Sequence, residues 1–272
     1  MLKEHNHKQE LPFPPEKFRK LVGPIELDHY DNPNRLFTFG DLAVGPLEAG
    51  EAYNRVFDFG CGCGRNARQL FLQYTPPKRY VGVDINREMI EWCKSNLTVP
   101  NIDVNFYHHD VWNLTYAPEN SKNLTQPIDQ YGKDFTLINA HSVFTHLYEA
   151  QTIFYLKQFL GMLSNHGIIR STWFFFNRDW FLPVLAPYQH CIYVNEIDPT
   201  QAVYYDWNYF LEMIHEIGLR IISVIWASVP GGQNAIFLAK SPEFQDIADE
   251  LIVPSTILGF QDSRPLLQQN HA

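Results

Sequence analysis

From Arg55 onward the chain alternates between short apolar runs and amphipathic stretches. "RVFDF" (55–59) is an apolar run closed by glycines, which predicts a strand. In "RNARQLFLQY" (65–74), Ala67, Leu70, Phe71 and Tyr74 recur at helical spacing. "RYVGVDI" predicts a second strand, and "NREMIEWCKSNL" a second helix with Asn86 as its N-cap. "IDVNFYHHD" and "DFTLINAHS" predict a third and a fourth strand, "LYEAQTIFYLKQFLGML" a helix and "HGIIRSTWFFF" a fifth strand. "DWNYFLEMIHEIG" reads as a helix capped by Asp206 and ended by Gly218. "RIISVIWAS" and "NAIFLAK", joined by "PGGQ", complete the pattern as a hairpin. Such alternation predicts an α/β sheet, parallel over most of its width, with an antiparallel strand at its end.

Three stretches depart from this pattern. Residues 1–54 are rich in proline and glycine and read as a helical cap or arm, with one helix in "PPEKFRKLV" and a second in "NRLFTFGDLAVGPLEAG". Residues 113–133 are polar and long for a connection, which marks them as either mobile or functional. Residues 173–210 are crowded with rings and follow the fifth strand, so an aromatic lid insertion is expected at about 173–206. The core therefore runs over 55–240, followed by a tail at 241–272.

Composition narrows the function. The net charge of −9 and the lack of a Lys/Arg run argue against a nucleic-acid or anionic-membrane partner. The polar N-terminus lacks a secretory h-region, no run of eighteen apolar residues occurs, and the 4 cysteines have no framework spacing. A cytoplasmic protein is expected, which makes the N-x-T sequons at Asn96, Asn113 and Asn123 chance occurrences.

The densest candidate chemistry is "DFGCGCGR" (58–65). The C-x-C of Cys61 and Cys63 lacks the second pair or added histidines of a zinc site, so no metal is expected. A strand, then glycines at 60, 62 and 64, then a helix makes a tight turn that lets a ligand approach the backbone. Asp84 ends the second strand, where a carboxylate accepts hydrogen bonds from both hydroxyls of a ribose. A dinucleotide fingerprint fails at Arg65, and "GRNA" lacks the Lys and Ser/Thr of a Walker loop. A ribose-binding acid without phosphate machinery points to S-adenosylmethionine.

"VFDFGCGCGR", "YVGVDINREMIEWCKSNL", "HHDVWN", "SVFTHL" and "PGGQNAIFLAK" together resemble the class I S-adenosylmethionine-dependent methyltransferases, in particular bacterial small-molecule methyltransferases with FGCGCGR and SVFTHL segments. The resemblance implies a Rossmann-like, seven-stranded, mostly parallel sheet with an antiparallel last strand and helices on both faces. By position, it places Asp58, Gly60, Gly62 and Gly64 at the methionine half of the cofactor and Asp84 at the ribose; Cys61, Ile85 and Arg65 are further candidate cofactor contacts, with an acceptor carboxylate or solvent as the alternatives for Arg65. It places Asp110 and Val111 at the adenine, and Asn139, Ala140 and His141 near the methionine end.

For chemistry, His146 and His141 are the candidate bases, since an imidazole titrates near neutrality. Trp173, Phe175, Tyr204 and Tyr205 are the candidate substrate contacts. The expected activity is methyl transfer to an oxygen of a small molecule or short peptide, in secondary metabolism, with N-methylation of a small amine as the alternative. A nucleotide-dependent oxidoreductase and a non-catalytic cofactor-binding module are the rivals from other classes.

Overall fold

The structure is a computed structural model that describes residues 11–23, 51–72, 76–178, 190–195, 197–229 and 232–254. The second helix expected in the arm, at 34–50, and the residues of the tail beyond 254 lie outside the described residues. Helix α1 (Glu16–Val22) follows the two prolines as the sequence predicts. The core then runs β1 (Arg55–Phe59), α2 (Arg65–Phe71), β2 (Arg79–Asp84), α3 (Arg87–Asn96), β3 (Asp103–His108), β4 (Phe135–Ala140), α4 (Glu149–Met162) and β5 (Leu163–Phe176). After it come β6 (Cys191–Tyr193), β7 (Val203–Asp206), α5 (Trp207–Ile217), β8 (Arg220–Val229) and β9 (Gln233–Ala239).

The caps act where the sequence put them. The Asn86 side chain accepts from Met89 N at 3.0 Å, and Asp206 Oδ1 accepts from Tyr209 N at 2.9 Å. Gly218 closes α5 at φ 91, a left-handed angle that favours glycine.

Strands β1 to β5 pair in parallel in the order β3-β2-β1-β4-β5. Strand β9 is antiparallel to both β5 and β8. Alternate residues of the strands feed the two faces. Phe57 and Phe59 pack with Tyr155 and Phe159 of α4 and with Phe210 of α5, whereas Val56, on the other face, packs with Leu70 of α2 and Ile90 of α3. The sheet is therefore covered by helices on both faces, as a buried parallel sheet requires.

Among the described residues the sheet has nine strands, two more than the expected seven. Strand β5 runs past the end of β4, and β7 pairs in parallel with its last residues, Phe174 to Phe176. Strand β6 pairs antiparallel with β7. For Trp173, Phe175, Tyr204 and Tyr205 this addition replaces the expected substrate contacts with packing, whereas residues 179–189 and 196 of the expected lid lie outside the described residues. Trp173, Phe175 and Tyr205 are each 0–1% exposed and belong to the main core. Trp173 stacks on Phe144 at 4.6 Å, and the Tyr205 hydroxyl bonds to Thr152 Oγ1 at 2.7 Å. Tyr204 stacks on Phe174 at 4.7 Å. Trp173, Phe175 and Tyr205 share one core with Tyr155 and Phe159 of α4 and Phe210 of α5.

Candidate active site

A cavity of about 530 Å³ lies beyond the carboxyl ends of the parallel strands, where ligands of open α/β sheets bind. Gly60, Cys61, Gly62, Arg65, Asp84, Ile85, Val111, His141 and His146 all line it. Asp58, Gly64, Asp110 and Asn139, placed by sequence at the cofactor, and Trp173, Phe175, Tyr204 and Tyr205, placed at the substrate, are not among the lining residues.

The glycine loop is fixed by backbone contacts. Gly60 N and Cys61 N donate to Val83 O at 2.9 and 3.0 Å. Gly60 and Gly62 have φ of 79 and 54, and an added Cβ would lie 2.4 Å from Val143 Cγ2 or 2.7 Å from Val22 Cγ1. A side chain at either position would therefore clash and strain the turn. Val22 belongs to α1, whose last turn and following Gly23 form one wall of the cavity. Phe18 of α1 packs on Cys63 and Met89, and Lys17 pairs with Glu88 at 2.6 Å, which holds the arm against the core.

Asp84 accepts Gly62 N at 2.8 Å on one oxygen and Asn86 N at 2.8 Å on the other. Burial raises its carboxyl to about 6, against the opposing effect of these bonds. Its remaining lone pairs suit a pair of hydroxyls. The cysteines hold no charge to match: Cys61 and Cys93 are buried, and burial pushes both thiols well above their usual range. Among the described residues no group of three His, Cys, Asp or Glu is arranged to hold a metal.

Asp58 works behind the loop. Its carboxylate accepts the Tyr80 hydroxyl and Asn139 Nδ2, each at 2.6 Å. Arg170 Nη1 in turn donates to Asn139 Oδ1 and to His141 Nδ1, both at 3.1 Å. This buried network carries one acid and one base through the centre of the sheet, and it explains why Asp58 and Asn139 do not face the cavity. Asp110 also serves the scaffold. Its Oδ1 accepts Ser121 N at 3.2 Å, and its carbonyl accepts Gln126 Nε2 at 2.7 Å, which pins the 113–126 loop.

The two histidines named from the sequence have opposite roles in hydrogen bonding. An arginine only donates, so His141 Nδ1 must accept and its proton sits on Nε2. Burial beside Arg170 and Arg65 drives its pKa well below the usual value, so His141 is neutral and donates. His146 Nδ1 lies 3.0 Å from Thr200 O, a carbonyl that only accepts, so its proton is on Nδ1 and Nε2 is a lone-pair acceptor. Burial lowers its pKa as well. His141 is thus held as a donor, and His146 keeps a lone pair on Nε2. His146 stands in a 3-10 turn (Phe144–His146) ahead of α4 rather than in the helix itself.

Sequence reasoning did not single out the rest of the wall. Trp112, Asn113, Tyr116 and Leu124 come from the long polar connection, and Tyr148, Gln151 and Tyr155 from the start of α4. The connection is ordered by its asparagines. Asn113 Oδ1 accepts from Thr115 N and Tyr116 N at 3.0 and 2.9 Å, and Asn120 Nδ2 donates to Ile85 O and Val111 O at 2.9 and 3.0 Å. That cluster of turn-forming asparagines was the available signal. His109, also unmarked, is 1% exposed and lines the cavity, with Nε2 2.9 Å from the Tyr155 hydroxyl. Burial lowers its pKa to about 4.

The donor set fits a nucleoside with an amino-acid tail. Three buried polar atoms of lining residues, Asn66 Oδ1, His109 Nδ1 and Trp112 Nε1, have no hydrogen-bond partner among the described residues. Buried orphans of this kind are costly unless a ligand or water meets them.

Residues 56–167 match the family model described as a methyltransferase domain. A 58-residue segment is 45% identical to an uncharacterized protein of Methanocaldococcus jannaschii, covering 21% of this chain and 26% of that protein. The matched part is thus about a quarter of the relative's length. Among solved structures, a SAM-dependent methyltransferase from Leishmania major superposes with a TM-score of 0.51 at 15% identity, over 82% of this chain and 77% of that one. PKMT2 from Rickettsia typhi, in complex with AdoHcy, reaches 0.49 at 16% identity over 79% and 54%. The first likeness shows the fold, and the second, below 0.5, adds nothing to it. The likeness to the Leishmania major structure shows a Rossmann-like α/β fold, and residues 56–167 within it match the methyltransferase-domain model.

Proposed function

We propose that this chain is an S-adenosylmethionine-dependent methyltransferase acting on an oxygen of a small molecule or short peptide. The observation that carries the reading is the meeting, in one cavity, of the glycine loop, the Asp84 carboxylate and the unprotonated Nε2 of His146. Asp84 would hold the ribose hydroxyls, and Gly60 to Gly62, Arg65 and the Nε2–H of His141 would face the amino-acid end. Ile85 and Val111 offer apolar contact for the adenine. The cofactor, when bound, supplies a methyl group activated on a sulfonium.

The chain's own work is orientation and proton handling. Aligning an acceptor against a fixed methyl donor removes much of the entropic barrier of a two-body reaction. His146 Nε2 takes the proton of the acceptor hydroxyl, while the Thr200 carbonyl holds the ring through Nδ1 and stabilises the imidazolium that forms. A carboxylate acceptor needs no such base, so the position of His146 favours a hydroxyl. The test is transfer of labelled methyl from S-adenosylmethionine to a panel of hydroxyl compounds. Transfer to oxygen that is lost in His146→Ala, with binding of S-adenosylhomocysteine retained, supports the reading. Failure of the wild-type protein to bind S-adenosylhomocysteine overturns it.

A further inference from the structure

Resting on that reading, we infer that Gln233 is a specificity-determining residue. Its side-chain amide donates to an oxygen of the acceptor, so the acceptor class is a neutral hydroxyl compound that carries a second, hydrogen-bond-accepting oxygen such as a carbonyl. Gln233 opens β9, is 8% exposed and lines the cavity. Its Oε1 accepts from Ser142 Oγ at 3.0 Å and from Thr172 Oγ1 at 2.7 Å. Thr172 Oγ1 already accepts the Ser142 backbone N–H at 2.7 Å, so its own proton needs an acceptor, and Oε1 is that acceptor. The amide is thereby fixed with Oε1 toward the scaffold. Its Nε2, with two N–H groups, is left without a protein partner among the described residues.

The scaffold that fixes Gln233 also carries the base. Ser142 holds a left-handed φ of 54, unusual for a residue other than glycine, and such strain persists only where neighbours enforce it. Ser142 leads directly into the turn closed by His146 N donating to Val143 O at 2.8 Å. One short segment thus sets both the amide donor and the base at the same cavity.

The surrounding chemistry selects against a positively charged acceptor. Trp112, Tyr116 and Tyr148 give rings, and Leu124 and Leu147 give apolar surface. Asp84 is the one carboxylate among the described lining residues, and both its oxygens are held by the backbone N–H groups of Gly62 and Asn86. An ammonium acceptor would find no counter-charge there, whereas a neutral carbonyl oxygen matches a neutral amide donor. A site built around a hydrogen bond rejects a ligand that lacks the partner, because its own polar group is then left unpaired.

The test compares 2-hydroxyacetophenone with 2-ethylphenol, which lacks the carbonyl, and with 2-phenylethylamine as the amine arm. The full chain is used with labelled S-adenosylmethionine, and S-adenosylhomocysteine affinity is measured separately by calorimetry. The wild type should favour the hydroxy ketone in kcat/KM by about tenfold or more. Gln233→Leu, and Gln233→Glu, which keeps the acceptor for Ser142 and Thr172, should both bring that ratio close to one while S-adenosylhomocysteine still binds. Equal kcat/KM for the two phenols, preference for the amine, an unchanged ratio in both variants, or no turnover of the hydroxy ketone by a protein that binds S-adenosylhomocysteine overturns the inference and leaves the methyltransferase reading standing. Failure to bind S-adenosylhomocysteine at all overturns both.

Discussion

The two halves of the cavity are built in different ways. The half proposed for the cofactor is compact: the glycine loop, Asp84 and Ile85 lie at the ends of two neighbouring strands, tied together by Gly62 N donating to Asp84. The half proposed for the acceptor is assembled from five separated pieces: α1, the 112–124 connection, the 142–155 segment, Thr200 and Gln233. The first half can be read as a motif, while the second exists only once the sheet has brought its pieces together. The same difference separates binding from selectivity, and substitutions in the two halves should separate them experimentally.

The largest expected effect lies in the acceptor half. His146→Ala should lower kcat by about 10² to 10⁴-fold, the usual yield of general base catalysis, with S-adenosylhomocysteine affinity unchanged. A fall in affinity as large as the fall in kcat would merge the two halves. In the cofactor half, Asp84→Ala should weaken S-adenosylhomocysteine binding at least tenfold through loss of charge-assisted bonds, as read by calorimetry. Unchanged affinity would remove Asp84 from the ribose.

A pH series sharpens the contrast. With the Asp84 carboxyl at about 6 against an ordinary 3.8, cofactor affinity should hold above pH 7 and weaken as pH falls through 6. Stability of the ligand-free protein should move the other way. Between the two pKa values the native state binds more protons than the unfolded one, so the Asp84 contribution to stability falls as pH rises through that window. His146, with its pKa lowered, is neutral at pH 7, so turnover should not rise further toward alkaline pH on its account. The smallest functional effect belongs to the ring cluster. Phe175→Ala should cost about 3 to 5 kcal/mol of stability in a denaturant titration and leave KM for both substrates within about twofold. A change in KM without loss of stability would restore the lid.

Much of the fold was legible because its signals are local. Apolar runs, the Asn86 and Asp206 caps and Gly218 mark elements that form where their own residues dictate. What escaped is tertiary. Trp173, Phe175 and Tyr205 look like a binding surface in one dimension, and only the pairing of β5 with β7 turns them into core. Asp58 reads as a cofactor contact by position, yet its bonds to Tyr80 and Asn139 turn it into the sheet. Asp110 is likewise drawn off by Ser121, a partner eleven residues away in a loop without periodicity. His141 and His146 look equivalent on paper. Arg170 and the Thr200 carbonyl, both remote in sequence, make one a donor and the other an acceptor.

The central claim is that this cavity holds the methyl donor. Titration of the full chain with S-adenosylhomocysteine by calorimetry tests it most directly. Saturable binding at one site per chain, weakened at least tenfold in Asp84→Ala, is expected; a lack of saturable binding at micromolar protein would mean that the cavity does not hold the methyl donor.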